Sequence, residues 1–321
     1  MDLQQFLNDW HSASPTLLVH TSGSTGAPKP MLVEKRRMEA SARITCRFLG
    51  LHEGDTALLC MPLDYIAGKM MVVRALTCGL RLITVEPSGN PLGTVADSID
   101  FAAMVPLQVY NSLQVPEERE RLMAIRHLII GGGAIDDTLA SALVDFPHQV
   151  WSTYGMTETL SHIALRRLNG PDRSDWYTPF EGVTVSLTAD GCLIIDAPAV
   201  HNGPLVTNDI AVVEGRRFRI LGRKDNVICS GGIKIQMEDV ERLLRPHVRV
   251  PFIISKAPDE KLGEQVVLLT ESSDVAALQA VCRSVLPKYY VPRRIVTVVS
   301  LPLTGTGKPA RAEAERMANA F

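Results

Sequence analysis

From residue 35 to residue 150 the chain keeps changing period. Stretches with apolar residues at helical spacing give way to short continuous apolar runs, then return. Residues 35–49 have helical spacing and stop at Gly50, residues 68–78 stop at Gly79, and residues 136–146 form a third such stretch. Around them, residues 56–62, 81–85, 101–105, 127–130 and 149–153 read as strands. Helix and strand patterns in alternation bury their apolar faces together only when the strands gather into a sheet and the helices pack on it. The expected class is therefore α/β.

Past about residue 176 the pattern changes. Runs 183–187 and 193–196 flank Ala189-Asp190-Gly191, and runs 210–213 and 217–221 flank Glu214-Gly215. Both are hairpin signals and predict a β-rich subdomain. From Gly222 the chain reads as a smaller α+β unit. It has a helix at 237–244, strands at 251–255 and 265–270, a helix at 274–286, a strand at 295–299 and a last helix from Pro309. The expected organisation is a large domain over 1–222 and a small one over 223–321. No internal repeat or low-complexity tract appears.

Charge and composition exclude several function classes. The 33 basic and 35 acidic side chains leave a formal charge of −2, so nucleic acid and anionic membrane are not expected partners. No apolar run approaches the length of a membrane span, and residues 1–14 lack the basic and apolar regions of a signal peptide. The six cysteines are scattered without a Cys-x-x-Cys pair and read as small apolar groups in a reducing compartment. A cytoplasmic protein is expected.

The chemistry-bearing segments lie in loops. His20-Thr21-Ser22-Gly23-Ser24-Thr25-Gly26-Ala27-Pro28-Lys29-Pro30 sits between two apolar runs, 16–19 and 31–33, which suggests a hairpin. Glycines let backbone N–H groups approach an anion, and the hydroxyls and Lys29 add donors and charge. It is not a Walker loop, because Gly23 is followed five residues later by Pro28 and not by Gly-Lys-Ser/Thr. Ser152-Thr153-Tyr154-Gly155-Met156-Thr157-Glu158-Thr159 follows a strand. There Tyr154 offers a stacking face for adenine, Thr157 a hydroxyl for a phosphate, and Glu158 a hard oxygen for Mg²⁺. The same residues also suit a helix N-terminus. Four more segments have bland readings when taken alone. Ile130-Gly131-Gly132-Gly133-Ala134 suits a strand-to-helix turn, and Asp209 in Thr207-Asn208-Asp209 a buried turn aspartate. Residues 221–235 suit a hairpin with a Gly231-Gly232 turn, and Lys308 in Gly305-Thr306-Gly307-Lys308 a surface lysine.

In order, these segments resemble the motifs of the adenylate-forming superfamily, which includes the acyl-CoA synthetases. The resemblance runs from residue 20 to residue 309. It implies a fold with a large N-terminal domain and a mobile C-terminal lid, and a two-step reaction with ATP, CoA and Mg²⁺. Thr21, Ser22, Gly23, Ser24, Thr25, Gly26 and Lys29 would hold the β- and γ-phosphates. Gly132, Gly133, Ala134, Tyr154 and Gly155 would border the adenine. Thr157 would meet the α-phosphate, Glu158 would hold Mg²⁺, and Asp209 and Arg223 would bind the ribose. Asp225 would be the hinge, Gly231, Gly232 and Lys234 would serve the CoA side, and Lys308 would be the adenylation lysine. Asn208 departs from the family's glycine. Family members also carry a long segment ahead of the first motif, which here begins at Thr21. The resemblance therefore implies an exposed face that a homodimer would cover.

Met61 to Lys69 and Met156 to Arg166 resemble, in particular, the o-succinylbenzoate–CoA ligases of menaquinone biosynthesis, with Tyr65 where many relatives have His. These segments line the acyl pocket in the superfamily. An acid that keeps a second carboxylate needs donors or cations in its pocket. Tyr65, Lys69, Arg74, Ser161 and His162 are the polar groups available, and on a helix Tyr65 and Lys69 share one face. A ligase for another aryl or fatty acid and a non-catalytic nucleotide-binding paralogue remain the alternatives. A phosphotransfer kinase lacks its Walker sequence.

Overall fold

The computed structural model describes residues 1–20, 29–304 and 308–320. At its centre is a seven-stranded sheet. In spatial order its strands are Arg81–Thr84, Thr56–Leu59, Phe101–Met104, His127–Ile130, Gln149–Gly155, His162–Arg167 and Thr178–Pro179. The first five pair in parallel and the last two join antiparallel. Thr56–Leu59, Phe101–Met104 and His127–Ile130 are buried at every position, as a parallel sheet covered on both faces requires.

Helices Lys35–Leu49 and Ile66–Cys78 pack side by side, each ending at a glycine, Gly50 or Gly79, in the left-handed conformation. Three helices the hydrophobic period did not reveal are Leu3–His11, Pro106–Gln114 and Pro116–Ala124. Pro106 and Pro116 each stand at the first position of a helix, where the missing N–H loses nothing, so residues that read as breakers are starters. The expected helix 136–146 is shorter, Asp137–Ala142, with Asp136 accepting from the Leu139 N–H at 2.8 Å. The expected strand 56–62 stops at Leu59.

Thr16–His20 and Pro30–Glu34 form the expected antiparallel hairpin, His20 opposite Pro30. The phosphate-loop residues Thr21 to Gly26 lie outside the described residues. The β-rich segment is a four-stranded antiparallel sheet of Thr184–Leu187, Cys192–Asp196, Leu205–Glu214 and Arg217–Arg223. One continuous core runs from Phe6 to Phe218.

Beyond it, five strands (Val227–Ser230, Ile233–Gln236, Phe252–Asp259, Gly263–Thr270 and Arg294–Thr297) form a second mixed sheet. Alternation along its strands splits the apolar residues cleanly. Ile254, Val266 and Leu268 pack toward helices Met237–Leu244 and Val275–Val285, while Ile253, Val267 and Leu269 pack toward Arg311–Asn319. Among the described residues no helix is long and apolar enough to cross a membrane.

Candidate active site

The parallel strands end on one side of the central sheet, and a cavity of about 410 Å³ opens there. Its walls include residues immediately past those ends: Met61 and Pro62, Val105, Gly131 and Gly132, then Met156 and Thr157. Gly155 is also a wall residue. A Cβ on it would lie 2.3 Å from the Ser161 carbonyl oxygen, so only glycine lets the two segments touch. The turn Thr157–Thr159 follows, and Leu160 adopts φ 64°. Positive φ is strained for a leucine, and here it reverses the chain so that Ser161 and His162 face the cavity.

Arg74 lines the same cavity from helix Ile66–Cys78 and is 2% exposed. Among the described residues no carboxylate pairs with it. One guanidinium nitrogen donates to Ser161 Oγ at 2.6 Å, and Nε is buried without a hydrogen-bond partner. Burial pulls its pKa down to about 10. Behind it runs a directional chain. Thr45 Oγ1 lies 3.2 Å from the Ser41 carbonyl, to which it donates, and so it accepts from His162 Nε2 at 3.2 Å. That fixes the tautomer and leaves Nδ1 as acceptor for the Ser161 hydroxyl at 3.2 Å. Ser161 Oγ is thereby free to accept from Arg74. Burial, then the charge of Arg74, pushes the His162 pKa well below 6.5, so the ring is neutral at neutral pH.

A second cluster sits beside this wall. Tyr154 donates its hydroxyl to Asp209 at 2.6 Å, and Arg223 bridges Asp209 at 3.1 Å and Asp225 at 2.7 Å. Burial, then the Asp209 charge, holds the Tyr154 proton far above the ordinary phenol range. The Tyr154 ring is 5.0 Å from Phe218 and 5.7 Å from Tyr177. Asn208 also donates to Asp225, at 3.2 Å, using the side chain that the family's glycine lacks. Lys308 lines the cavity and feels the charges of this second cluster. Burial lowers its pKa first, the Arg223 charge lowers it further, and Asp209 opposes them. Its backbone is pinned by Thr304, which accepts from the Lys308 N–H at 3.1 Å.

Of the residues singled out from sequence, the structure brings Tyr65, Arg74, Gly132, Gly155, Thr157, Ser161, His162 and Lys308 around one cavity. Tyr154, Asp209, Arg223 and Asp225 form the adjoining network. Glu158 is half-buried beside Thr157. Among the described residues no three His, Cys, Asp or Glu side chains gather as a metal cage. A single carboxylate there fits a Mg²⁺ that arrives with phosphate oxygens as its other ligands. Gly133, Ala134 and Lys29 are exposed. Gly231 and Gly232, both at positive φ, form the hairpin turn between Ser230 and Ile233, with Lys234 exposed beside it; none of the three lines the cavity. Lys69 does not line it either. Its amine is buried and donates to the Leu63 carbonyl at 2.7 Å, because an unpaired ammonium needs an acceptor.

Sequence reasoning missed Thr45 and Gln108, and gave no role to His20, which opens the first motif and lines the cavity. Gln108 lines the cavity and bridges the carbonyls of Cys60 and Ser88 at 3.0 and 2.9 Å. It stands at the third position of helix Pro106–Gln114 and accepts from the Val105 N–H at 3.1 Å, a capping signal hidden by the missed helix.

Known proteins share this architecture. A solved acyl-CoA synthetase (AMP-forming)/AMP-acid ligase II-like protein from Dyadobacter fermentans is 34% identical. The match covers 96% of this chain and 91% of that one, with a TM-score of 0.65. The o-succinylbenzoate coenzyme A synthetase (MenE) of Bacillus subtilis, solved in complex with ATP and magnesium ion, has the same fold at a TM-score of 0.77. It is 23% identical over 92% of this chain and 69% of its own. A 2-succinylbenzoate–CoA ligase of Bacillus mycoides is 25% identical over 94% of this chain and 69% of its own. The model of the family described as AMP-binding enzyme matches residues 4–198, more than half of the chain, and the protein belongs to that family.

Proposed function

We propose that the protein is an ATP-dependent acid–CoA ligase whose acid is o-succinylbenzoate. It would convert the acid, ATP and CoA into o-succinylbenzoyl-CoA, AMP and pyrophosphate through an acyl-adenylate. The observation that carries the choice of acid is Arg74, a buried guanidinium in the wall of the cavity that no carboxylate among the described residues pairs. o-Succinylbenzoate has two carboxylates. One reacts, and the other supplies the missing anion for Arg74, whose remaining N–H groups would donate to it. The curated relatives named 2-succinylbenzoate–CoA ligase support the same acid.

In the first step the succinyl carboxylate attacks the α-phosphorus of ATP and pyrophosphate leaves. Positioning and charge stabilisation dominate such a transfer. Lys308 stands in the cavity wall, where its ammonium would neutralise the charge that develops between carboxylate and α-phosphate. Thr157 would donate to the same phosphate, Asp209 would receive the ribose hydroxyls, and Thr21 to Gly26 with Lys29 would hold the outer phosphates. Glu158 would hold Mg²⁺, which when bound shields the phosphate charge. In the second step the CoA thiol attacks the adenylate and releases AMP. Residues 223–321 would turn about Asp225 as a lid, withdrawing Lys308 and bringing Gly231, Gly232 and Lys234 toward the thiol. A cytoplasmic location and a homodimer complete the proposal. Leu18 and Leu32, opposite each other on the hairpin's outer face and 50% and 68% exposed, are apolar surface that a second copy would cover.

Acid-dependent exchange of labelled pyrophosphate into ATP tests the first step without CoA. Exchange with o-succinylbenzoate, and far less with benzoate or octanoate, is expected. Exchange supported equally by octanoate would overturn the choice of acid and leave the ligase chemistry standing.

A further inference from the structure

A second, smaller cavity of about 120 Å³ lies behind the acyl pocket, and among the described residues one belongs to the walls of both: His162. On its near side are Ser161 and Arg74. On its far side the small cavity is bounded by Ile44 of helix Lys35–Leu49, Ile163, Phe180, Val183 and Val200, with Ser41 and the exposed Glu181 as the polar groups of its wall. The imidazole packs against Phe180 with ring centres 5.5 Å apart. Thr45 and Ser161 hydrogen-bond its two nitrogens, which fixes the ring across the boundary between the cavities.

We propose that His162 is the specificity-determining partition that sets the depth of the acyl pocket, closing off an apolar annex that a longer acid would otherwise enter. The inference rests on the acid–CoA ligase reading of the large cavity. The annex walls are mostly aliphatic and aromatic, so the excluded class is unbranched monocarboxylic acids with an apolar tail. Imidazole suits the position because it does two things at once. Its neutral nitrogens satisfy Thr45 and Ser161, keeping Arg74 addressed to an anion, and its ring fills the passage. Removing it joins the two spaces and slackens the anion site, so acid preference should move from short and charged to long and apolar.

The test compares hexanoate, decanoate and o-succinylbenzoate in acid-dependent AMP formation by the wild type, His162→Ala, Ile44→Phe, and the double variant. Each methylene taken into an apolar pocket changes the specificity ratio by about tenfold or more. His162→Ala is therefore expected to raise the decanoate-to-hexanoate ratio of kcat/KM at least about tenfold while lowering that for o-succinylbenzoate. Ile44→Phe refills the annex and is expected to reverse the gain in the double variant, while alone it leaves the wild-type profile unchanged. Equal loss with every acid, or a gain that Ile44→Phe does not reverse, would overturn the proposal. Should His162→Ala fail to fold, His162→Asn, smaller than the ring and able to keep one of its hydrogen bonds, makes the same comparison. If the wild type forms no AMP with any of the three acids, it is the ligase reading that fails.

Discussion

A guanidinium held in a protein wall with a hydroxyl but no carboxylate as partner destabilises the empty protein, because a neutral acceptor does not offset its desolvation. Arg74 is in that position, and the consequence has two signs. Arg74→Met should raise the stability of the ligand-free protein by about 1–2 kcal/mol, seen as a higher Tm. It should also raise the KM for o-succinylbenzoate about 100-fold or more, as loss of a buried charge partner does. The same acid without its ring carboxylate should be nearly indifferent to the change. Lower stability together with an equal effect on both acids would show that Arg74 is only structural. His162 makes a pH prediction. Its folded pKa lies well below 6.5, so the unfolded chain binds more protons as pH falls through 6.5, and stability should drop on acidification from there. Arg74, Ser161 and Thr45 bring no negative charge to the ring, and Glu181, which shares the small cavity with it, is not among the charges that shift it. His162→Gln should flatten the acid side of a Tm–pH curve. At this scale the sequence was partly legible. Ser161, His162 and Arg74 stood in recognisable segments, but Thr45 carried no signal because its partner is more than a hundred positions away.

At the level of elements, boundaries were legible where a local cause exists and not where packing decides. Helix Lys35–Leu49 ends as read because Gly50 takes the left-handed cap at φ 67°. The helices at 106–114 and 116–124 were missed because proline has two opposite meanings, and only tertiary context chooses between them. Strand 56–59 ends early because Pro62 and Leu63 leave the sheet to line the site and hold Lys69. The contact between strand Gln149–Gly155 and the Ser161–His162 segment gives a sharp prediction. Gly155→Ala would drive a methyl to within 2.3 Å of the Ser161 carbonyl oxygen and 2.4 Å of the His162 Cα. Both obstacles are backbone, so the strand must shift. A loss of about 2–4 kcal/mol in denaturant unfolding is expected, and a change under about 0.5 kcal/mol would show that the segments are not so closely apposed.

At the scale of the whole molecule there are three separate cores, the cavity opens beside the first, and among the described residues Lys308 alone comes to its wall from beyond residue 222. The order of motifs along the chain made the family legible, while the relation between the two sheets was not, since it depends on contacts such as Arg245 with Asp136 at 3.2 Å. The lid proposal makes the two chemical steps separable. Lys308→Ala should lower adenylate formation about 100-fold or more, the size of a lost electrostatic stabiliser, and spare thioester formation from preformed adenylate. Equal impairment of both steps would remove Lys308 from its assigned role. Because burial and Arg223 depress the pKa of that amine, the adenylation rate should begin its alkaline decline below the usual lysine value of 10.5. The central claim, that this chain joins an acid to CoA at the expense of ATP, is tested most directly by product analysis with ATP, CoA and o-succinylbenzoate. AMP, pyrophosphate and o-succinylbenzoyl-CoA in equal amounts are predicted. ADP in place of AMP, or nucleotide binding with no product from any acid, would contradict it.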